Sequence, residues 1–449
     1  MTPRMPPHIP GRIYEDYAYG DAARADCIWP RPDGDWAAIQ GDHRCDIAVI
    51  GGGFTGLSAA LHLAQNGADV TLVEANHIGW GASGRNGGFC TIGGDKLGLS
   101  AIRKRFGDTA TRAYFDAQKA AVELVAALLD THQIDADTHS DGELLLAHRP
   151  AAMADLRTEE AEWAALGHPA ELIDATDLKS RGMNGDFHGG LVLPLGFALN
   201  PGRYVSGLAR AASQAGASLS PDSPVTHIDT VSDRHVLTTP TARITAKKLI
   251  IATNGYSSDA LPGWLSGRYL PVQSNILVTR KLTADEIAAQ GWHTDLMAYD
   301  SRNLLHYFRL LPDGRFLFGA RGNVGASAKG QDAMRVKMKQ HLAAMFPAWR
   351  HVDTPHFWSG LISLSRDLLP YAGPVPDRAN TWAGLNYHGN GVAMGTWTGA
   401  RLADMALGKL TSLPVHTRVL PRFPFPSLRR NYLHAAFVGY RLKDGPPPR

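Results

Sequence analysis

Apolar residues first cluster at Asp46-Ile-Ala-Val-Ile50, a short run of the kind a buried parallel strand shows. Gly51 to Gly56 interrupts it, and Phe54, Leu57, Leu61 and Ala64 then recur at helical spacing until Asn66-Gly67 stops the helix. Val70-Thr-Leu-Val73 follows as a second strand. An apolar stripe through Ala121, Leu124 and Leu128 predicts a helix over 101–135, then a strand at 142–148 and a helix at 151–166. A helix at 203–215 precedes strands at 224–228 and 248–252. Alternating residues over 304–311 and 316–318, around Pro312-Asp313-Gly314, predict a hairpin. A further helix is expected at 395–407.

Composition adds limits to this pattern. The chain has 449 residues, 44% apolar and 19% charged, enough to build a sizeable core and to exclude a disordered scaffold. Cys27, Cys45 and Cys90 are too few and too scattered for a disulfide framework, and they fit a reducing, cytoplasmic setting. The uncharged runs 47–68 and 379–400 are long enough to span a bilayer, yet both are broken by glycine and by Asn, Gln or His. The opening MTPRMPPHIPGR has no apolar stretch of the kind a signal peptide needs. A soluble chain is expected. The net charge of +3 comes from the tail: seven of the basic residues and one acid fall in 415–449. That leaves 38 basic against 41 acidic residues elsewhere, so nothing points to nucleic acid.

The strongest chemical signal is Gly51-x-Gly53-x-x-Gly56 with Glu74 beyond it. Gly51 permits a tight strand-to-helix turn, Gly53 lets the backbone approach a pyrophosphate, and Gly56 allows the helix to pack on the strand. The helix N-terminus faces the phosphates, and Glu74 is placed to accept hydrogen bonds from ribose hydroxyls. Phe54, Thr55 and Ala75 flank these positions and complete the expected nucleotide site. A second glycine-rich stretch at 79–88 follows at once. Its Gly81, Ala82, Ser83, Arg85, Asn86, Gly87 and Gly88 suggest a backbone tracking an extended cofactor towards its ring. Ser83 is a candidate phosphate ligand, and Arg85 a candidate for neutralising negative charge on the cofactor.

At this point the chain resembles a known family. Gly51–Gly56, Glu74 and Gly-Ala-Ser-Gly-Arg-Asn-Gly-Gly at 81–88 look like the FAD-dependent D-amino acid oxidase superfamily, and within it the gamma-glutamylputrescine oxidase-like group. Ile250-Ile-Ala-Thr-Asn-Gly-Tyr256, Tyr307-Phe-Arg309, Asp313-Gly-Arg315, Leu369-Pro370 and Gly389-Asn-Gly391 fall in that family's order. The resemblance implies a Rossmann-like α/β domain that binds FAD, assembled from 45–100, 190–260 and 365–412. An α+β substrate domain on a mixed or antiparallel sheet, from 101–189 and 261–364, would be inserted in it. Residues 1–44, with six prolines, read as an arm on the surface, and 413–449 as a basic tail or helix. Val225 would meet adenine through its backbone, while Thr253, Asn254 and Gly255 would close the domain near the pyrophosphate. Gly389, Asn390, Gly391 and Val392 would set a helix N-terminus against the flavin pyrimidine, where reduction places negative charge.

Two departures from the family pattern fall where ring and substrate would meet. His388-Gly-Asn-Gly391 stands for Ser-Gly-His-Gly, and Gly87-Gly88-Phe89 for Gly-Gly-Gln. Around Leu317 there is neither the lysine nor the cysteine that sarcosine oxidases carry, which implies non-covalent FAD. Period-two alternation puts Tyr307, Arg309 and Leu311 on one strand face, and Arg309 is the expected carboxylate ligand, with Arg321 and Arg366 as rivals. Tyr307, Tyr387 and His388 complete the expected catalytic set. Trp358 and Trp397 are candidate pocket walls or core residues.

Nineteen histidines form no metal-binding spacing, and no nucleophile elbow exists. The function that emerges is oxidation of the C–N bond of an amine or amino acid, gamma-glutamylputrescine-like or secondary, by hydride transfer to flavin N5. The resulting imine would hydrolyse to an aldehyde or oxo acid, with oxygen or a quinone as electron acceptor. Three alternatives stay beside it: a nicotinamide-dependent dehydrogenase, a flavin-binding redox protein without turnover, and a quinone-linked amino acid dehydrogenase. The last would dock weakly on a membrane through a tail helix capped by Ser427 and carrying Leu428, Tyr432, Phe437 and Tyr440 beside its arginines, whereas the breadth of the helix's apolar face favours docking on the body of the protein.

Overall fold

The computed structural model describes residues 9–448, so the first eight residues of the expected arm and Arg449 of the tail lie outside it. Two sheets organise the rest. The first has Gly41–Ile50 at its centre, paired in parallel with Ala242–Ile251 on one side and Val70–Val73 on the other. Ser218–Ser220 extends it beyond Val70–Val73, and Thr381–Leu385 with Tyr371–Pro374 extends it beyond Ala242–Ile251. Ile47, Ala48 and Val49 are buried on both faces, which is why their run is continuously apolar. Helices Phe54–Gln65 and Ala393–Ala406 pack on this sheet and share one apolar core through Leu57, Leu61, Ala393 and Leu402.

The second sheet is mixed and largely antiparallel. Its order runs His356–Leu364, Leu270–Lys281, Arg315–Arg321, His306–Leu310, Met297–Asp300, Glu143–Leu146, Gly189–Leu193 and Glu171–Asp174. Met297–Asp300 and Glu143–Leu146 are its parallel pair. A two-stranded ribbon, Phe89–Cys90 with Phe197–Ala198, lies outside both sheets.

Several expected boundaries move. The central strand begins at Gly41, inside the expected arm, because Gly41 already pairs with Ala242 two hundred positions away in sequence. Gly189–Leu193 pairs with Glu143–Leu146 in the second sheet, although 190 was the expected start of a first-domain segment. Helix Leu99–Thr131 was expected with the substrate domain, yet Ala121, Val125 and Leu128 pack into the core of the first sheet's helices. The strand expected at 224–228 is His227–Val231, with Val225 before it.

The described part of the arm is also not a surface strap. Tyr19 and Trp29 are buried, and the Tyr14 hydroxyl donates to Pro271 O at 3.0 Å. At the other end, helix Arg429–Asp444 starts after Ser427 and has no side-chain cap, because Pro426–Leu428 forms a separate 3-10 turn. Leu433 and Phe437 seat that helix against Leu270 and Val272, and the Asp444 carboxylate accepts from Asn303 N and Leu304 N at 2.8 and 2.9 Å. Among the described residues, no helix is long and apolar enough to cross a membrane.

Candidate active site

One cavity of about 710 Å³ runs from the glycine turn of the first sheet to a wall formed by the second. At its first end Gly51 adopts φ +111°, a conformation open to glycine, and a Cβ there would lie 2.7 Å from Ala252 O. A Cβ on Gly56 would lie 1.9 Å from Gly51 O, so the turn and the first helical residues close on each other without room for a side chain. Glu74 accepts from Gly52 N at 2.7 Å and from Asn76 N at 3.1 Å. Burial pushes its carboxyl up, and those backbone N–H groups oppose the shift. Each oxygen keeps a lone pair for a ribose hydroxyl. Gly53 caps helix Phe54–Gln65, and Phe54 N donates to Ser83 Oγ at 2.9 Å, which ties the second glycine-rich loop to the helix start.

That loop is held by its polar residues. Asn86 Oδ1 accepts from Gly88 N at 2.7 Å, and its amide donates back to Ala82 O and Ser83 O. Arg85 is buried with its guanidinium 4.3 Å from the Trp80 ring and donates to Trp80 O, Gly81 O and Ser359 O. These bonds brace the loop, and the side chain also lines the cavity.

Further along the cavity, Tyr387-His388-Gly389-Asn390-Gly391 leads into helix Ala393–Ala406, whose first N–H groups lack intrahelical partners. Asn390 donates to Thr91 O at 2.7 Å and leaves a buried Oδ1 without a partner. Such an orphaned acceptor beside a helix N-terminus suits a ring bearing both N–H and carbonyl groups. The Tyr387 hydroxyl shares a hydrogen bond of 2.9 Å with Thr55 Oγ1, and burial pushes its pKa upward. His388 Nδ1 meets Gly94 O at 2.9 Å, and Nε2 accepts from Ser365 N at 3.2 Å. Desolvation pushes its pKa down to about 3, which leaves a neutral ring with both nitrogens occupied. Both residues line the cavity, where their polar atoms are held by protein partners.

Arg309 is the larger correction. It lies on the expected strand face, yet it is fully buried outside the cavity. Nε donates to Gly87 O at 2.9 Å, Nη2 to Leu199 O at 2.8 Å, and Nη1 to His139 Nε2 at 2.8 Å. His139 can accept because its Nδ1 is directed at Asp137 O. The guanidinium therefore clamps the glycine-rich loop to the segment before helix Pro201–Gln214. Arg366 is exposed and donates to Arg422 O. Arg321 is the arginine that lines the cavity, reaching towards His388 O at 3.4 Å, and desolvation lowers its pKa. Tyr307 lines it too, its hydroxyl 2.9 Å from Ser274 Oγ.

Of the remaining expected residues, Gly53, Phe54, Thr55, Ala75, Gly81, Ala82, Gly87, Thr253, Asn254, Gly389, Gly391 and Val392 also line the cavity. Gly56, Gly88, Val225 and Gly255 lie behind it, as do the core residues Trp358 and Trp397. Sequence reasoning passed over Arg12, Ser274, Lys96, Glu143 and Glu159, all of which face it. Two of these carry a signal: Glu143 opens the apolar run Glu-Leu-Leu-Leu146, and Lys96 sits in a glycine-rich stretch. None of the three cysteines lines the cavity. Among the described residues, no group of three His, Cys, Asp or Glu side chains is arranged to hold a metal.

Comparison with known proteins identifies the family. Residues 46–405 match the family DAO, FAD dependent oxidoreductase. The chain is 32% identical over 412 residues to the probable oxidoreductase OrdL of Rhizobium meliloti (strain 1021), covering 90% of this chain and 94% of that one. It is 30% identical over 404 residues to the gamma-glutamylputrescine oxidoreductase of Escherichia coli (strain K12), covering 89% and 93%. Among solved structures, glycine oxidase from Geobacillus kaustophilus matches with a TM-score of 0.68 at 23% identity, covering 83% of this chain and 96% of that one. L-proline dehydrogenase from P. horikoshii matches at 0.67 and 19%, with the same coverage. These two structures speak to the fold.

Proposed function

The chain belongs to the DAO family of FAD-dependent oxidoreductases, and from that premise we propose that it oxidises the C–N bond of a gamma-glutamylputrescine-like amine. The observation that carries this reading is the continuity of the cavity. The same space that meets Glu74 and Gly53 also meets Tyr307, Ser274 and Arg321 of the second sheet, so cofactor and substrate share one enclosure. Bound FAD supplies the hydride acceptor, its N5, and the oxidised carbon leaves as an imine that water converts to an aldehyde or oxo acid.

The chain's own residues hold the partners. Glu74 takes the ribose, and the N-terminus of helix Phe54–Gln65 takes the pyrophosphate. Asn390 Oδ1 and the N-terminus of helix Ala393–Ala406 take the polar edge of the ring. Arg321 orients an anionic group of the substrate, and the Ser274–Tyr307 hydroxyl pair fixes its other side. No nucleophile is required, so positioning does most of the work.

The supporting relative is the E. coli gamma-glutamylputrescine oxidoreductase, which aligns along nearly its whole length. A second acceptor reading rests on helix Arg429–Asp444, which leaves Val438 and Leu442 exposed beside Arg441 and Lys443 and so offers a surface to a quinone-bearing membrane. The deciding experiment is an anaerobic visible spectrum of the purified yellow protein during addition of gamma-glutamylputrescine, cyclic and N-methylated amino acids, and simple D- and L-amino acids. Bleaching by gamma-glutamylputrescine is expected, and the rate of colour return in air separates oxidase from dehydrogenase. A flavin that no amine bleaches defeats the catalytic reading.

A further inference from the structure

The wall of the cavity opposite the cofactor turn holds charges that the proposed chemistry does not use. Glu143 begins strand Glu143–Leu146 and is 5% exposed. Its Oε2 accepts from Thr91 Oγ1 at 2.5 Å, and that neutral donor is its hydrogen-bond partner. Glu159, on helix Ala152–Ala165, has only the Trp163 indole N–H at 3.4 Å. Neither bond is an ion pair, and the two carboxyl groups repel each other. Both side chains line the cavity. Tyr299 lies two residues beyond Met297, the register partner of Glu143, so its ring stands on the same sheet face and joins this wall. Trp163 and Phe115, with ring centroids 5.2 Å apart, add aromatic faces beside the acids.

A nine-tenths-buried carboxyl whose hydrogen-bond donor is a neutral hydroxyl carries a large desolvation cost, and burial pushes Glu143 up to about 8 although the Lys96 charge opposes the shift. A second carboxyl next to it raises that cost. An ammonium group bound between them, against the aromatic rings, removes it. Across the same space stand two cations, Lys96 and Arg321. Desolvation and the neighbouring Arg321 charge push Lys96 down to about 8. The cavity wall therefore carries both signs of charge: Glu143 and Glu159 on the strand and helix, and Lys96 and Arg321 with Asp95 beside Lys96, the three carboxyl groups opposing the fall in the Lys96 pKa.

We infer that Glu143, with Glu159 beside it, forms a cation subsite that seats a second ammonium group of the substrate, remote from the C–N bond that is oxidised. The inference rests on the amine-oxidation reading and adds the feature by which this chain selects among amines. Lys96 receives an anionic group that accompanies that ammonium. Simple monoamines and neutral N-acyl amines leave the carboxyl groups uncompensated and bind poorly.

The test uses the purified holoenzyme and two matched pairs that differ by the remote ammonium. These are gamma-glutamylputrescine with N-glutarylputrescine, and 1,4-diaminobutane with 1-aminobutane. Anaerobic stopped-flow separates half-saturation from the limiting rate of flavin reduction. The wild-type protein is expected to prefer the ammonium-bearing member of a pair by about thirtyfold or more in half-saturation. Glu143→Gln, which retains an acceptor for Thr91, should abolish most of that preference with the limiting rate unchanged, and Glu159→Gln should reduce it in part. A wild-type protein indifferent to the remote ammonium overturns the inference, as does a flavin bleached only by amines that lack one. So does a Glu143→Gln protein that weakens both members of a pair equally. Each of these leaves amine oxidation standing, whereas a flavin that no amine reduces removes both readings.

Discussion

The two ends of the cavity present different chemistry to a ligand. At the nucleotide end the protein offers mainly main chain: the turn at Gly51–Gly56, the start of helix Phe54–Gln65, and a loop pinned by Ser83 and Asn86. At the far end it offers side chains from Glu143, Ser274, Tyr307 and Arg321, which come from four strands of the second sheet, with Lys96 on a separate loop. A backbone site needs small residues at fixed local spacing, so its design lies within one stretch of chain. A side-chain site needs charges held apart in a low-dielectric space, and its members can come from anywhere the sheet brings them. The cost of error also differs. Misplacing a glycine closes the turn, while misplacing a charge changes what binds.

The sharpest way to break this comparison is to exchange the two arginines' fates. Arg309→Met strands the carbonyls of Gly87 and Leu199 and leaves His139 without its donor, at a cost of about 4 kcal/mol in stability. Its unfolding midpoint in urea should fall well below wild type, with flavin lost on purification. Arg321→Met should leave stability within about 0.5 kcal/mol of wild type and raise half-saturation for an anionic substrate instead. An Arg309 variant as stable as wild type would return that residue to the substrate site.

A smaller effect follows from the pH behaviour of Glu143. Burial raises its folded pKa from 4.5 to about 8, so between those values the folded protein holds a proton that the unfolded chain has released. Stability from this group is therefore full below about pH 4.5 and lost as pH rises to 8. Comparing urea unfolding at pH 5 and pH 8, wild type should lose about 3 kcal/mol relative to Glu143→Gln. Equal pH slopes would show that the carboxyl is ionised at no cost. The smallest effect belongs to the nucleotide end. Ser83→Ala removes one acceptor from Phe54 N and should cost about 1 kcal/mol, read as a modest drop in thermal midpoint. A larger loss, accompanied by weaker FAD retention, would mean that Ser83 also holds the phosphates.

How much of this was legible differs from element to element. Helix Phe54–Gln65 and strand Val70–Val73 lie where the apolar pattern predicts them, because each is buried by its immediate neighbours. The strand at Gly189–Leu193 and helix Leu99–Thr131 were assigned to the other domain, since nothing in their own residues says which core will receive them. The cap expected at Ser427 failed for a local reason: Pro426 starts a 3-10 turn, and the α-helix begins only afterwards.

By itself the sequence determined the nucleotide half of this protein: turn, helix, acid and second glycine-rich loop are contiguous, and each works through short-range backbone geometry. It also placed Tyr307 and Arg309 on one strand face, since side-chain alternation is a property of the strand alone. Only the tertiary structure decided which arginine was left for the cavity. Arg309 meets Gly87 O, Leu199 O and His139, groups far from it in the chain, whereas Arg321 meets open space and a lone carbonyl. Whether a buried charge serves the fold or a ligand depends on which hydrogen-bond partners surround it, and those are fixed by folding.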